Sequence, residues 1–192
     1  DGEYMMKNNY EYSKILLQFS IKNSIDFIYA SSAAVYGNGK NGFREETKCE
    51  YPLNIYAFSK FMFDNYVRRI LIKNNFNSQI TGLRYFNVYG YQENHKGTMA
   101  SVPFHFFNQM SRNENMKVFQ GSDKFYRDFV FVEDVIKVIK YFYKNRISGI
   151  YNCGTGKERS FLDIAKFLKS LNDGSDYEFI PFPENLRDKY QT

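Results

Sequence analysis

The sequence has no tryptophan and only two cysteines. It also lacks any apolar run near the roughly 18 residues that a membrane-spanning helix needs, so no membrane partner is expected. Cys49 and Cys153 stand outside any Cys-x-x-Cys or Cys/His spacing. That argues against a disulfide framework and against a zinc site, and no metal is expected; two reduced thiols in a cytoplasmic protein are. The opening residues, DGEYMMKNNYEYSK, put acids and Asn where a secretory signal needs a basic start and an apolar run. Position 1 is not Met, so the chain reads as a segment of something longer. The net charge of +5 is small and scattered, which speaks against a nucleic-acid partner. The doublet Arg68-Arg69 falls in a helical pattern and reads as a solvated face.

What is present is an ordinary folded composition, 43% hydrophobic and 24% charged, with 17 Tyr and 20 Phe to build a core. A length of 192 residues fits one domain and part of a second. Apolar residues at helical spacing (Met5, Tyr12, Ile15, Leu16, Phe19) predict a helix over 4–22, and residues 25–30 (IDFIYA) read as a buried strand. A polar loop over 37–51 follows. Asn54 is an N-cap candidate for a long helix to about 74, with Ile55, Phe58, Met62, Tyr66 and Ile70 on one side. Strands are predicted over 78–83, 117–119, 128–132, 149–153 and 177–180. Helices are predicted over 99–110, from Glu133 to about 145, and from Ser160 to about 171, where Ser160 and Asp163 form a capping pair. Strands alternating with helices mean βαβ units and a mainly parallel sheet, in which ligands sit at the carboxyl ends of the strands. The segments to inspect are therefore SSAAVYG, RYFNVYG and CGTGKERS. The last contains Gly154-Thr155-Gly156-Lys157, which lacks the Walker spacing and reads as a strand-end turn.

The sharpest local feature is Tyr56-Ala57-Phe58-Ser59-Lys60. Tyr and Lys four apart share a helix face. An ammonium beside a phenol favours the phenolate, which makes Tyr56 a candidate general acid/base. Alone, the pattern arises by chance in many helices; its setting, with Ser31-Ser32 ending a buried strand upstream, sharpens it.

Ser32, Tyr56 and Lys60 together resemble the catalytic triad of the short-chain dehydrogenase/reductase enzymes. The strings YASSAAVYG, PLNIYAFSK and LRYFNVYG resemble the extended branch of that family, the nucleotide-sugar epimerases and dehydratases. MMKNNYEYSK, FNVYGYQENHKGTMASVPFH, VFQGSDKFYRDFVFVEDV and YNCGTGKERSF are similar to its ADP-glyceromanno-heptose 6-epimerases, with Asn94 to Ser101 the discriminating run. The resemblance implies an α/β fold: a Rossmann-type doubly wound parallel sheet whose N-terminal cofactor half is missing, with a smaller α/β substrate domain. Residues 1–90 and about 128–153 would belong to the dinucleotide-binding domain, and about 91–127 and 154–192 to the substrate domain. No G-x-x-G-x-x-G follows a strand, so the chain reads as an internal fragment, and whether it binds cofactor or turns over by itself is open.

The implied reaction is an isomerase's: inversion of C6 in the heptose of an ADP-sugar by transient oxidation and reduction with bound NADP, for lipopolysaccharide core synthesis. NAD stays open, because the strand that reads the ribose 2′ position is absent. By resemblance Tyr56 and Lys96 are the two proton-transfer groups, Lys60 holds the nicotinamide ribose, and Ser32 hydrogen-bonds the reacting oxygen. Asn8, Val88 and Lys96 match cofactor contacts alongside Lys60. Asn87, Thr98, His105, Phe119, Gln120, Gly121, Ser122, Arg127 and Tyr190 match substrate contacts. Thr98 stands where the family usually carries Ser, and Gln120 where it commonly carries Glu. Arg127 suits a pyrophosphate, because a guanidinium fork matches phosphate oxygens. The family also implies a homo-oligomer. Two alternatives remain: another NAD(P)-dependent nucleotide-sugar epimerase or dehydratase, and a catalytically silent half-domain.

Overall fold

The computed structural model describes residues 1–73, 75–171 and 174–183. It divides into two compact units, residues 1–86 with 136–153, and residues 87–135 with 154–192.

The first unit begins with α1 (Gly2–Met6), whose Asp1 cap accepts from the Glu3 N–H at 3.0 Å. A π-helical stretch, Lys7–Glu11, carries the chain into α2 (Tyr12–Lys22). Strand β1 (Phe27–Ser32) ends in a helical turn, Ala33–Tyr36. The polar loop runs to α3 (Ile55–Lys73), where Asn54 accepts from the Ala57 N–H at 2.8 Å, the cap its sequence position predicts. Strand β2 (Ile80–Tyr85) pairs in parallel with β1 on one side and with β6 (Gly149–Cys153) on the other. This parallel α/β core, with α3 as the crossover between β1 and β2, is the Rossmann-type arrangement. As the middle strand β2 is covered throughout, and its residues 80–84 are all buried. The unit's core joins Leu17 of α2, Phe63 and Val67 of α3, and Ile80.

Two helix faces differ from the apolar periodicity. On α2 the predicted stripe is open, with Ile15 61% and Phe19 59% exposed, while Leu17 and Ser20 are buried. On α3 the buried positions are Ala57, Ser59, Phe63, Asp64 and Val67, and Ile55 and Phe58 are exposed. The face of α3 that meets the sheet carries a carboxylate and two small residues beside Phe63 and Val67, because the carboxylate bonds polar groups of β1 and β2. A count of apolar residues cannot register such a face. Cys49 and Cys153 are both buried thiols.

The second unit holds β3 (Asn87–Tyr89), a tight-turned stretch over Glu93–Met99, and α4 (Val102–Ser111) capped by Ser101. Strands β4 (Met116–Phe119) and β5 (Tyr126–Phe131) follow, then the start of α5 (Val132–Asn145), whose later residues belong to the first unit. Strand β7 (Glu158–Ser160), α6 (Phe161–Leu171) and β8 (Tyr177–Ile180) complete it. β5 pairs in parallel with β3 and antiparallel with β7, and β4 pairs in parallel with β8. The capping pair is present: the Ser160 N–H donates to Asp163 Oδ2 at 2.9 Å and the Asp163 N–H donates to Ser160 Oγ at 3.0 Å. Phe106, Met110, Met116, Val118 and Ala165 form the core. Residues 87–90 and 128–135, expected with the first domain, group with the second unit because β3 and β5 pair with each other rather than with β1, β2 or β6. Among the described residues no helix is long and apolar enough to cross a membrane, and no His/Cys/Asp/Glu group could hold a metal ion.

Candidate active site

Tyr56 sits in the first turn of α3 and Lys60 one turn further, on the same face. The Tyr56 side chain is open to solvent, with the residue 40% exposed. Lys60 Nζ lies 6.0 Å from the centroid of the Tyr56 ring and donates to the Ala30 carbonyl of β1 at 3.0 Å. That bond uses one of three ammonium hydrogens and leaves two for other acceptors. Burial lowers the Lys60 pKa from its ordinary value, and the Asp64 carboxylate opposes the shift. Ser32 ends β1 at the carboxyl edge of the parallel sheet. Its Oγ accepts from the Ala34 N–H at 3.2 Å, which leaves the hydroxyl hydrogen free to be donated to a ligand oxygen.

Asn8 lies in the π-helical stretch, exposed, with its amide donating to the Tyr4 carbonyl at 2.9 Å. Such stretches interrupt α-helices frequently at functional sites. The neighbouring Asn9 donates to Ser59 Oγ at 3.1 Å, and Ser59 donates to the Tyr56 carbonyl at 2.7 Å. The π-helical stretch is thereby docked onto the turn of α3 that carries Tyr56 and Lys60. Sequence reasoning missed Asn9 and Ser59, since neither belongs to a recognised spacing.

It also missed a buried ionic cluster behind that turn. Arg84 of β2 is fully buried and ion-pairs with Asp64 at 2.8 Å and with Glu50 at 2.5 Å. Its Nη1 donates to the Tyr36 hydroxyl at 2.8 Å, which in turn donates to Asn152 at 2.7 Å. Arg68, expected on a solvated face, instead makes a two-pronged pair with Glu50, because the loop brings that carboxylate onto α3. Burial pushes the Glu50 carboxyl up, but hydrogen bonds from Arg68 and the charge of Arg84 outweigh it, and the net pKa is lowered. A lone Arg in the string LRYF carries no sequence signal of burial.

In the second unit, Lys96 Nζ ion-pairs with Glu93 at 3.2 Å, with the lysine side chain 41% exposed. Glu93 is buried. It accepts from the Gly90 N–H at 3.1 Å and from the Ser101 N–H and hydroxyl, both at 2.8 Å, so the residues around Lys96 are folded about one carboxylate. Thr98 and Asn87 are exposed, while Val88 and His105 are half-buried in β3 and α4. Phe119 closes β4 and Gln120 is exposed. Gly121 adopts φ 81°, a left-handed turn that favours glycine. Ser122 is fully buried with no partner for its Oγ among the described residues, so its side chain is turned away from solvent. Phe119 and Phe125 each pack a ring 5.3 Å from Phe182, and Phe125 also meets Phe161 at 6.3 Å. The Arg127 guanidinium lies 5.5 Å from the Phe161 centroid. Phe119 and Arg127 thus border one aromatic cluster. Thr155 and Gly156 are held by Asp128, which accepts both N–H groups at 2.8–2.9 Å, the geometry of a strand-end turn. Tyr190 lies outside the described residues.

The residues of the first unit have the chemistry to hold the nicotinamide–ribose end of a dinucleotide: Tyr56 is an open phenol, Ser32 has a hydroxyl to donate, and Lys60 makes one hydrogen bond among the described residues, to the Ala30 carbonyl of β1. No Gly-rich turn for the pyrophosphate occurs in the sequence.

Residues 1–154 match the NAD dependent epimerase/dehydratase family. The chain is 57% identical over all 192 residues to the ADP-L-glycero-D-manno-heptose-6-epimerase of Brachyspira hyodysenteriae, and spans 60% of that protein's length. Among solved structures it is similar to the Helicobacter pylori ADP-L-glycero-D-manno-heptose-6-epimerase, with TM-score 0.82 and 34% identity, covering 97% of this chain and 57% of that one. It is also similar to the Thermotoga maritima UDP-glucose 4-epimerase solved with UDP-glucose, with TM-score 0.80 and 27% identity, covering 96% and 60%. With the family model matching residues 1–154 of its 192, the chain belongs to the NAD dependent epimerase/dehydratase family.

Proposed function

We propose that the protein to which this chain belongs converts ADP-D-glycero-D-manno-heptose to ADP-L-glycero-D-manno-heptose with NADP, supplying lipopolysaccharide core synthesis in the cytoplasm. The observation that carries this reading is the 57% identity, across the whole chain, to a protein of that name. The first unit serves as part of the dinucleotide-binding domain and the second as the ADP-sugar domain. A homo-oligomer is the expected assembly.

Inverting a carbinol centre by simple deprotonation is unfavourable, because a C–H beside a hydroxyl is not acidic. Lys60, with Asn8 and Val88, would hold a nicotinamide, which would supply reversible hydride acceptance at that carbon. Tyr56 moves the proton at the reacting oxygen, and Ser32 donates its free O–H to the same oxygen. Lys60 holds its positive charge near the phenol. A carbonyl presented by two faces calls for a second proton-transfer group, which is Lys96, steadied by Glu93. Arg127 takes the pyrophosphate, and the run from Phe119 to Ser122 shapes the sugar site.

The test compares this segment with the longest natural reading frame that contains it, following conversion of ADP-D-glycero-D-manno-heptose by chromatography. Turnover is expected for the longer protein. No heptose conversion, with UDP-glucose epimerised instead, would replace the substrate assignment. Tyr56→Phe and Lys96→Met in the longer protein should each lower the rate by about 10²- to 10⁴-fold.

A further inference from the structure

Three side-chain bonds tie α3 to the last residues of β1. Lys60 Nζ donates to the Ala30 carbonyl at 3.0 Å, the Ser31 hydroxyl donates to Asp64 Oδ2 at 2.9 Å, and the Tyr29 hydroxyl donates to Asp64 Oδ1 at 2.9 Å. Ser32 is the next residue of β1. Tyr56 and Lys60 precede Asp64 by two turns and one turn of the same helix face. The strand end and the helix start that carry the three active-site groups are therefore joined through consecutive residues of β1.

β2 supports the arrangement from behind. Arg84 Nε donates to Asp64 Oδ2 at 2.9 Å, and Arg84 and Asp64 are both wholly buried. At Gly82 an added Cβ would fall 2.4 Å from the Tyr29 ring, so the glycine is what lets that ring lie across β2 and aim its hydroxyl at Asp64. Burial and the adjacent Asp64 charge hold the Tyr29 pKa well above its ordinary value, so it remains the donor. Stability alone does not call for such a cluster, since well-packed apolar residues of the same volume often serve a core as well as a buried ion pair or better. Directional bonds differ from apolar packing in fixing how far a helix can slide along a strand.

We infer that Asp64, held by Arg84, is the positioning residue of the Ser32–Tyr56–Lys60 group, locking α3 in one register on β1 so that phenol and hydroxyl meet the same substrate oxygen. For the identity of the reaction this rests on the proposed epimerase function. Asp64 also bears on the Lys60 charge, opposing the effect of burial. The ionisable groups on α3 near that amine are Asp64 and Tyr56, and β1 presents to it the uncharged Ala30 carbonyl.

The experiment uses Ser31→Ala, Ser31→Thr and Asp64→Asn in the longest natural reading frame. Ser31→Ala removes one oxygen atom and should leave the fold intact. Its kcat should fall about tenfold with KM unchanged, because small misplacements of catalytic groups cost rate. Ser31→Thr keeps the hydroxyl on a strand-compatible side chain and should restore most of the rate. Asp64→Asn should lose more, approaching about a hundredfold. Unchanged kcat in Ser31→Ala and Asp64→Asn, whatever happens to Tm, overturns the inference. A substrate-free measurement keeps it separate from the epimerase reading. The ¹⁵Nζ resonance of Lys60, assigned by its loss in Lys60→Arg, is titrated with pH. Removing the nearby negative charge favours the neutral amine, so the midpoint should move down in Asp64→Asn; an unmoved midpoint also overturns the inference. If the unaltered protein leaves ADP-heptose untouched, the substrate reading fails while the Lys60 titration still decides the positioning role.

Discussion

Each unit contains a buried carboxylate cluster, and the two are assembled over very different lengths of chain. Glu93 draws its partners from residues 90 to 101: two backbone N–H groups, a serine hydroxyl and the half-exposed Lys96. Asp64 and Glu50 draw theirs from β1, β2 and α3, with the fully buried Arg84 as the common cation. Short-range bonds from N–H dipoles suffice for a carboxylate that a loop can wrap. A carboxylate between a helix and a sheet has no free N–H groups within reach, because those elements spend theirs on their own ladders, so it needs an arginine brought by another strand. The first cluster shapes one loop; the second holds separate elements together.

The sharpest way to break this contrast is Arg84→Met, which leaves Asp64 and part of Glu50 buried without their cation. Urea denaturation of the longest natural reading frame should show a loss of about 3–5 kcal/mol. A loss under about 1 kcal/mol would mean that the two clusters do equivalent work. Glu93→Gln should cost less, about 1–3 kcal/mol, because the amide oxygen can keep some of the N–H bonds. Its damage should appear as faster proteolysis confined to residues 90–101, and cleavage spread over both units would contradict a local role.

Acid should weaken both clusters in the same direction. For Glu50, burial raises the pKa but Arg68 and Arg84 bring the net value below 4.5; for Glu93, burial is likewise outweighed, by bonds from Ser101, Gly90 and Lys96. A carboxyl with a depressed folded pKa contributes stability that is fully present above its unfolded value and is lost as pH falls through the folded one. Tm should therefore hold from pH 7 to about 5 and fall below about 4.5. Glu93→Gln should flatten part of that decline. The smallest effect on stability should come from Lys96→Met, under about 1 kcal/mol for a half-exposed pair. The same change should abolish most turnover, so a large Tm drop with activity retained would assign Lys96 to the fold instead of the chemistry.

The elements with local signals were legible in the sequence. Asn54 caps α3, Ser160 and Asp163 reciprocally cap α6, and the parallel strands fall within about two residues of their predicted positions, because caps and short apolar runs act over a few neighbouring residues. The three-residue strands β3 and β7 were not legible, since their pairing with β5 supplies nearly all of their identity. The buried faces of α2 and α3 were misread for a related reason: apolar spacing reports a face that avoids water, and α3 turns a carboxylate inward to meet Arg84.

The candidate site divides in the same way. Ser32, Tyr56, Lys60 and Lys96 are visible as residue types at characteristic positions, and the strand-then-helix order by itself puts a hydroxyl and a phenol at one end of a parallel sheet. Only the tertiary structure decided what ties α3 to the end of β1. Arg84, Asp64, Glu50 and Tyr29 are scattered along the chain as unremarkable residues, and they become a cluster when β2 lies between β1 and β6 with α3 against it. Local sequence sets helices, caps and strand tendencies through interactions between near neighbours. Which charges can be buried depends on partners that folding alone brings into range, and so does the register of one element on another.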